Sequence, residues 1–301
     1  MKVCSFLPAA TSMIYELGLE EYLYGVTFEC PSDRPKVVRS HLEGKNLTSV
    51  EINDTVKEYM DADKNLYYVD LELLHEIQPD IIFTQHVCNV CQIGTSYVEE
   101  VVKSLPKKPK IIPLVPHRLD DIYDNLLLIA RELNEEAKGQ VRLRELKQRE
   151  MDIAEKLRDN NLLPKKVMLI EWIEPIFNCG HWIPDQIERA GGYDPLGNPG
   201  GHSRPTEWEA VVASNPEVIV IAPCGFTPER AIQEVSGLEQ KQGWNELSAV
   251  RDQQIFIVDG DLFTRPSTTL VEGIELLAAL LHPTHFEIPA CVRDKVVSYY
   301  K

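Results

Sequence analysis

Short apolar segments alternate with helical segments in two stretches of this chain, and no other feature constrains the fold more. The predicted strands are 3–7, 23–27, 81–84 and 110–115 in the first stretch and 167–171, 218–222 and 255–258 in the second. Strands that are apolar throughout are buried on both faces, which is typical of parallel sheets covered by helices. The sequence therefore predicts an α/β protein with two such units.

The two stretches are separated by a segment of different texture. From Leu119 to about Asn160 there is no proline and a single glycine, Gly139, while apolar residues recur every three or four positions. This spacing predicts a long helical segment, with Gly139 as the point where a break is expected. The predicted domains are an N-terminal lobe at 1–117, a linking helical segment at 118–161, a C-terminal lobe at 162–283 and a tail at 284–301.

Charge and hydropathy exclude several classes of partner. The 301 residues carry a formal net charge of −16, which repels nucleic-acid backbones and anionic lipid surfaces. No run approaches the roughly 20 apolar residues of a membrane-spanning helix, so membrane insertion is not expected. The residues after Met1 lack the long apolar run of a secretory signal. The seven cysteines are an odd number, and cysteines outside disulfides are usual in a reducing compartment. A cytoplasmic location is therefore expected.

Parallel α/β sheets bind their ligands beyond the carboxyl ends of the strands, so the loops there hold the candidate ligand-binding residues. In the first lobe these are Pro8, Thr11, Phe28 and His86, with Thr11 or Ser12 expected to cap the first helix. In the second lobe they are Trp172, Glu174, Phe177, His181, Trp182, Phe226, Phe263 and Arg265. The aromatic rings would suit a large flat ligand. Core packing of the rings, or a capping role for His181, is the alternative.

Four cysteines form a candidate metal site. Cys88 and Cys91 make a C-x-x-C pair directly after a predicted strand, and Cys30 and Cys224 also lie at strand ends. Thiolates in this number can hold a zinc ion or an iron–sulfur cluster. Half-buried thiols without a ligand, or a redox disulfide between Cys88 and Cys91, are the alternatives.

The order of elements resembles the cobalamin and iron-chelate class of substrate-binding proteins over about residues 1–283. The resemblance to a branch of that class without an export signal, labelled cobalamin-binding proteins, is carried by the segments Phe28-Glu29-Cys30-Pro31, Gln85–Cys91, Gly180-His181-Trp182, Pro223-Cys224-Gly225-Phe226 and Phe263–Pro266. It implies two Rossmann-like lobes with parallel sheets, joined by a long rigid helix, and a ligand cleft between the lobes. It also implies a corrinoid as the ligand.

The function that this sequence favours is cytoplasmic binding of a corrinoid-like or metal-containing cofactor in the cleft, without catalysis. One alternative is a metal- or iron–sulfur-dependent enzyme that uses Cys30, Cys88, Cys91 and Cys224. A second alternative is a redox or sensor module built on the C-x-x-C pair. The sequence leaves the oligomeric state and the catalytic residues of such an enzyme open.

Overall fold

A computed structural model describes residues 1–62, 64–85 and 95–300, except for the side chains of 95 and 96. The chain splits into two compact units. Unit 1 comprises Met1–Pro116 and Tyr123–Arg142, and unit 2 comprises His117–Ile122 and Leu143–Lys301. Both units are α/β structures with mainly parallel sheets, which confirms the predicted fold class. The predicted domain bounds stay a prediction.

Unit 1 is built on a six-stranded sheet. Its strands are β1 (Val3–Ser5), β2 (Leu23–Thr27), β3 (Lys36–Ser40), β4 (Tyr67–Val69), β5 (Ile81–Gln85) and β6 (Lys110–Leu114). Their order is β4-β3-β2-β1-β5-β6, and only the pairing of β3 with the edge strand β4 is antiparallel within this sheet. Ser5, Ile82 and Phe83 are fully buried, as expected for central strands covered on both faces.

The helices of unit 1 follow its strands. They are α1 (Pro8–Glu16), α2 (Ser49–Asp61), α3 (Leu71–Ile77) and α4 (Thr95–Val101). Helix α1 begins at Pro8 with Leu7 as its N-cap, so the prediction that Thr11 or Ser12 caps this helix is wrong. Proline is favoured at the first helical position because its missing N–H would be unpaired there in any case. Thr11 instead lies inside α1 and donates its hydroxyl to Leu7 O at 3.4 Å.

The predicted helical segment consists of two helices, α5 (Leu119–Glu132) and α6 (Glu136–Asp159), and each has residues in both units. The chain turns between them at Asn134, whose φ is +59°, and not at Gly139. Gly139 lies within α6, where a Cβ would come within 2.6 Å of the Ala130 Cβ. The glycine therefore permits close packing of α6 on α5, and the break predicted near Gly139 lies at residues 133–135, a few positions before the glycine.

Unit 2 contains a five-stranded sheet and a small two-stranded one. The strands are β7 (Lys165–Ile170), β8 (Gly180–His181), β9 (Gly192–Tyr193), β10 (Asn198–Pro199), β11 (Val218–Ile221), β12 (Ile255–Val258) and β13 (Val296–Ser298). The larger sheet has the order β13-β12-β11-β7-β9, and β8 pairs in parallel with β10. The tail supplies β13, which pairs antiparallel with β12. The tail thus closes one edge of the sheet.

The helices of unit 2 cover this sheet. They are α7 (Ile183–Arg189), α8 (Trp208–Ser214), α9 (Pro228–Glu239), α10 (Ser248–Arg251) and α11 (Leu270–Leu281). Most side chains of α11 are buried, which accounts for its uniformly apolar sequence. None of the helices described combines the length with the apolar character that a membrane span requires.

Candidate ligand-binding site

The carboxyl ends of β1 and β2 bring together three of the predicted residues of unit 1. Pro8 and Thr11 are buried in α1, and the Cys30 thiol donates a hydrogen bond to Thr11 Oγ1 at 3.3 Å. Cys30 itself is buried. These three residues therefore support the loop that follows β2 and offer no accessible polar group of their own.

Phe28 is the more accessible residue at this edge. It is half-buried, and its ring lies 6.4 Å from that of Tyr67. His86, Cys88 and Cys91 lie outside the described residues, so their predicted roles stay predictions.

In unit 2, the loops after β7 and β11 bring two aromatic rings together. Trp172 and Phe226 meet edge to face, with ring centroids 5.4 Å apart. Phe226 is buried beneath this contact, whereas Trp172 is half-buried. The guanidinium carbon of Arg230, one turn into α9, lies 3.5 Å from the centroid of the Phe226 ring. Trp172 is therefore the more accessible ring of the pair.

Phe177 and Glu174 belong to the same loop after β7. Phe177 is half-buried and makes backbone bridges to Trp172 and Pro205. Glu174 is exposed and forms an ion pair with Lys241 at 3.7 Å. The loop is thus anchored by its own backbone pairing, and its carboxylate already has a cationic neighbour.

The loop after β12 contacts this cluster through its backbone, because Gly260 N donates to Phe226 O at 3.0 Å. Trp182 is buried and donates its Nε1–H to Phe263 O at 2.6 Å, and Phe263 is fully buried. Arg265 is half-buried and forms an ion pair with Asp261 at 2.8 Å. Burial is the main cause that raises the pKa of Asp261, against the opposing effect of Arg265. Trp182 and Phe263 are therefore structural, while Arg265 lies at the surface with its charge balanced.

His181 has the least ordinary environment of the predicted residues. It is half-buried at the end of β8, and its φ is +51°, a left-handed value that is uncommon for a side chain other than glycine. Its ring stacks on Trp182 with centroids 5.3 Å apart, and its buried Nδ1 has no hydrogen-bond partner among the described residues. Burial, and then the nearby His202 and His117, lower the pKa of His181 to about 4. The imidazole is therefore neutral at pH 7.

The predicted four-cysteine site gains no support from the described residues. Cys30 is buried, whereas Cys224 is exposed in the loop after β11. Within the part of the chain that the structure describes, no three His, Cys, Asp or Glu side chains are grouped to hold a metal ion.

Arg230 and His202 are residues of this region that the sequence analysis did not single out as ligand-binding candidates. Arg230 follows Phe226 by four positions, and His202 follows the pair Gly200-Gly201. These positions in the sequence were the signals that could have identified the two residues. The contact of His202 with His181 depends on tertiary structure, because its partners come from different segments, whereas the contact of Arg230 with Phe226 is local in the sequence.

A surface groove of about 1030 Å³ also lies in unit 2, but other residues line it, among them Arg118, Asp120, Asp185 and Arg189. Its charges pair with each other: Arg118 contacts Asp185 through Nε at 2.8 Å, and Arg189 contacts Asp120 at 3.1 Å. At these two ion pairs, the groove therefore offers no uncompensated charge to a ligand.

Comparison with known proteins gives consistent matches. The family model described as periplasmic binding protein matches residues 67–262. An uncharacterized ABC transporter substrate-binding lipoprotein of Bacillus subtilis is 24% identical over 293 residues, which are 95% of this chain and 81% of the relative. A vitamin B12-binding protein of Vibrio cholerae is 22% identical over 289 residues, which are 93% of this chain and 88% of the relative.

Solved structures share the fold. A periplasmic haem-binding protein of Pseudomonas aeruginosa matches with a TM-score of 0.71 and 16% identity, covering 97% of this chain and 96% of that one. The periplasmic vitamin B12-binding protein of Vibrio cholerae matches with a TM-score of 0.64 and 19% identity, covering 93% and 96%. These relatives are binding proteins and not enzymes, in agreement with the prediction that this chain binds without catalysis.

Proposed function

Because this chain belongs to the periplasmic binding protein family, we propose that it binds a corrinoid, without converting it, at the strand-end loops of unit 2. Relatives named for vitamin B12 and for haem support a metal-tetrapyrrole ligand in general. The half-exposed Trp172 ring, seated on Phe226, is the observation that carries the proposal. A rigid aromatic platform of this kind suits a flat macrocycle.

Charge favours a corrinoid over haem. Arg265 of these loops is paired with Asp261, and Lys241, which follows α9, is paired with Glu174, so both cations are already balanced. A net charge of −16 disfavours a ligand with ionised carboxylates, such as haem, more than one whose side chains are neutral amides. The amides of a corrinoid would hydrogen-bond without the need for an unpaired cation.

The test is a spectrophotometric titration of the purified protein with cyanocobalamin and, separately, with haemin. We expect cyanocobalamin to bind with a dissociation constant at least about tenfold below that of haemin, which corresponds to about 1.4 kcal/mol. Trp172→Ala should weaken cyanocobalamin binding about tenfold or more, because the macrocycle loses its aromatic platform.

Trp208→Ala is the matched control, because Trp208 also contacts another aromatic ring, that of Trp244 at 6.0 Å, but belongs to none of these loops. Its affinity for cyanocobalamin should equal that of the wild type. A preference for haemin, or equal losses in the two tryptophan variants, would contradict the proposal.

We further propose that the protein acts in the cytoplasm. Cys4 and Cys179 are buried thiols outside any disulfide, and burial raises the pKa of Cys4 to about 12. Reduced, unreactive cysteines of this kind are usual in a reducing compartment. Fractionation of the native cells should recover the protein with cytosolic markers, and recovery with the membrane or the exterior would overturn this location.

A further inference from the structure

Two histidines of unit 2 lie side by side on a backbone that fixes their spacing. His181 ends β8 and His202 follows β10, the strand with which β8 pairs. Their ring centroids are 5.0 Å apart, and the ring planes are nearly perpendicular at 89°. His181 N donates to Gly201 O at 2.5 Å, and Gly200 N donates to His181 O at 2.8 Å. The backbone of His181 is therefore fixed against the two glycines that directly precede His202.

The backbone around His181 accommodates its unusual conformation. A Cβ at the preceding Gly180 would lie 2.3 Å from Ser203 N, so the two segments cross too closely for any other residue. A left-handed conformation at a residue other than glycine is unfavourable and persists only when the surrounding structure enforces it. Strained backbone conformations of this kind are concentrated at functional sites. Here the left-handed backbone of His181 sets the direction of its imidazole.

We propose that His181 and His202 form a two-imidazole site for a divalent transition-metal ion such as Zn²⁺. Two imidazole nitrogens at 2.0–2.1 Å from one tetrahedral ion would place the ring centroids about 5 Å apart. The observed separation matches this value. The inference does not depend on corrinoid binding, because it concerns a free metal ion at these two side chains.

Polar contacts around the rings are compatible with a metal. The buried Nδ1 of His181 has no hydrogen-bond partner among the described residues, and a buried polar group in that state calls for an explanation. The neutral form of an imidazole is the one that ligates metals, and His202, on the exposed side of the pair, leaves the site open to solvent.

The site would be incomplete and exchangeable. Because no third His, Cys, Asp or Glu in the described ranges completes a cluster, at least two positions on a tetrahedral ion would go to water or to a small ligand. His117 is near enough for its charge to help lower the pKa of His181 but is not grouped with the pair as a ligand. Open positions of this kind are a property of exchangeable and catalytic metal sites rather than of structural ones.

The test is calorimetric titration of the metal-stripped full-length protein with Zn²⁺, in a background in which Cys88 and Cys91 are replaced by serine. This background removes the C-x-x-C pair as a competing zinc site. We expect one Zn²⁺ per chain, and a loss of affinity of about tenfold or more in His181→Gln and in His202→Gln. Loss of a group that only hydrogen-bonds a metal ligand typically lowers metal affinity about 10–100-fold, so removal of a direct ligand should cost at least this much.

His75→Gln is the matched control, because His75 lies in unit 1 and hydrogen-bonds Ser104 at 3.2 Å. It should retain the affinity of the parent for Zn²⁺. Circular dichroism of each variant separates loss of a ligand from loss of the fold, and His202→Gln should unfold like its parent because His202 is exposed. Absence of Zn²⁺ binding in the serine background, or unchanged affinity in both folded histidine variants, would reduce the pair to an edge-to-face ring contact.

Discussion

Units 1 and 2 follow the same plan but differ at the carboxyl edges of their sheets. In both, parallel central strands are flanked on one side by an antiparallel edge strand, β4 in unit 1 and β13 in unit 2. The described loops at the carboxyl edge of unit 1 place the small buried Cys30 and one half-buried ring, Phe28, beside Pro8 and Thr11 of α1. Those of unit 2 end in aromatic rings, two imidazoles and guanidinium groups. Among the described residues, aromatic and imidazole side chains are thus more numerous in the strand-end loops of unit 2 than in those of unit 1.

The lengths of the connections account for this difference. Residues 6–7 alone separate β1 from α1, so the helix closes directly over the strand end. Residues 171–182 separate β7 from α7, and this longer connection carries Trp172, Glu174, Phe177 and His181. A long connection can present large side chains because its backbone pairs with itself, as at Trp172 and Phe177. Two sheets of the same plan thus differ at their carboxyl edges because their loops differ.

The largest loss of stability is expected for a change at Trp182, a buried residue of unit 2 that contacts the loop after β12. Trp182→Ala should lower the free energy of unfolding by about 3–5 kcal/mol, because it empties a buried site and removes the donor to Phe263 O. All four tryptophans, Trp172, Trp182, Trp208 and Trp244, lie in unit 2. Urea unfolding followed by tryptophan fluorescence therefore reports this unit.

Trp182→Phe is the matched control for the ring itself. It keeps most of the buried apolar volume but leaves the Phe263 carbonyl without its donor, which costs about 1–3 kcal/mol. Equal losses in the alanine and phenylalanine variants would mean that packing of the indole ring contributes little, contrary to its buried position.

The crossing of strands at Gly180 provides the next effect. Gly180→Ala should lower the stability of unit 2 by about 1–3 kcal/mol, because its Cβ would meet Ser203 N, Gly201 O and His202 C at 2.3–2.7 Å. Gly237→Ala is the control with opposite sign. Gly237 lies within α9 with nothing within 4 Å of the added Cβ, so alanine there should stabilise by about 0.5–1 kcal/mol. A neutral Gly180→Ala would show that the crossing can relax.

The sequence predicted the fold far better than the details of the site. The central strands contain apolar runs of three or four residues, and this signal is local, so β5, β7 and β11 were located to within a residue or two. Strand β3 and the edge strand β4 were missed, because half-buried strands mix polar and apolar residues in no distinctive run.

The site was only partly accessible to the same reasoning. Aromatic residues at strand ends could be listed from the sequence, but burial of Trp182, Phe226 and Phe263 could not, because it depends on which loops pack together. The predicted helix break near Gly139 was misplaced for a related reason. A glycine in a helical pattern signals either a break or a close approach, and only the position of Ala130 on α5 distinguishes the two.

The pH dependence of stability tests the environment of His181. Its pKa is lowered to about 4 from an ordinary value near 6.5, so between these values the unfolded chain binds more protons than the folded one. Stability should therefore be fully present above about pH 6.5 and fall as the pH decreases toward 4, by about 1–2 kcal/mol for this partly exposed group. His181→Gln should flatten this fall when urea midpoints are compared at pH 4.5 and 7.

A residual slope is expected in that variant, because burial also lowers the pKa of His282. The double variant His181→Gln, His282→Gln should therefore be flatter than either single one. A profile of His181→Gln that parallels the wild type would mean that the ring is as well hydrated in the folded protein as in the unfolded chain.

The smallest effect tests whether the edge of unit 1 is only a support. Cys30→Ala removes one thiol hydrogen bond to Thr11 and a small buried volume, so the loss of stability should be about 1 kcal/mol or less. If recognition resides in unit 2, the affinity for cyanocobalamin should change by less than twofold, a difference of about 0.4 kcal/mol. The measurement is the titration used for Trp172→Ala. A loss of affinity in Cys30→Ala as large as in Trp172→Ala would contradict this difference between the units. A buried thiol of unit 1 would then contribute as much to ligand affinity as the half-buried ring of unit 2.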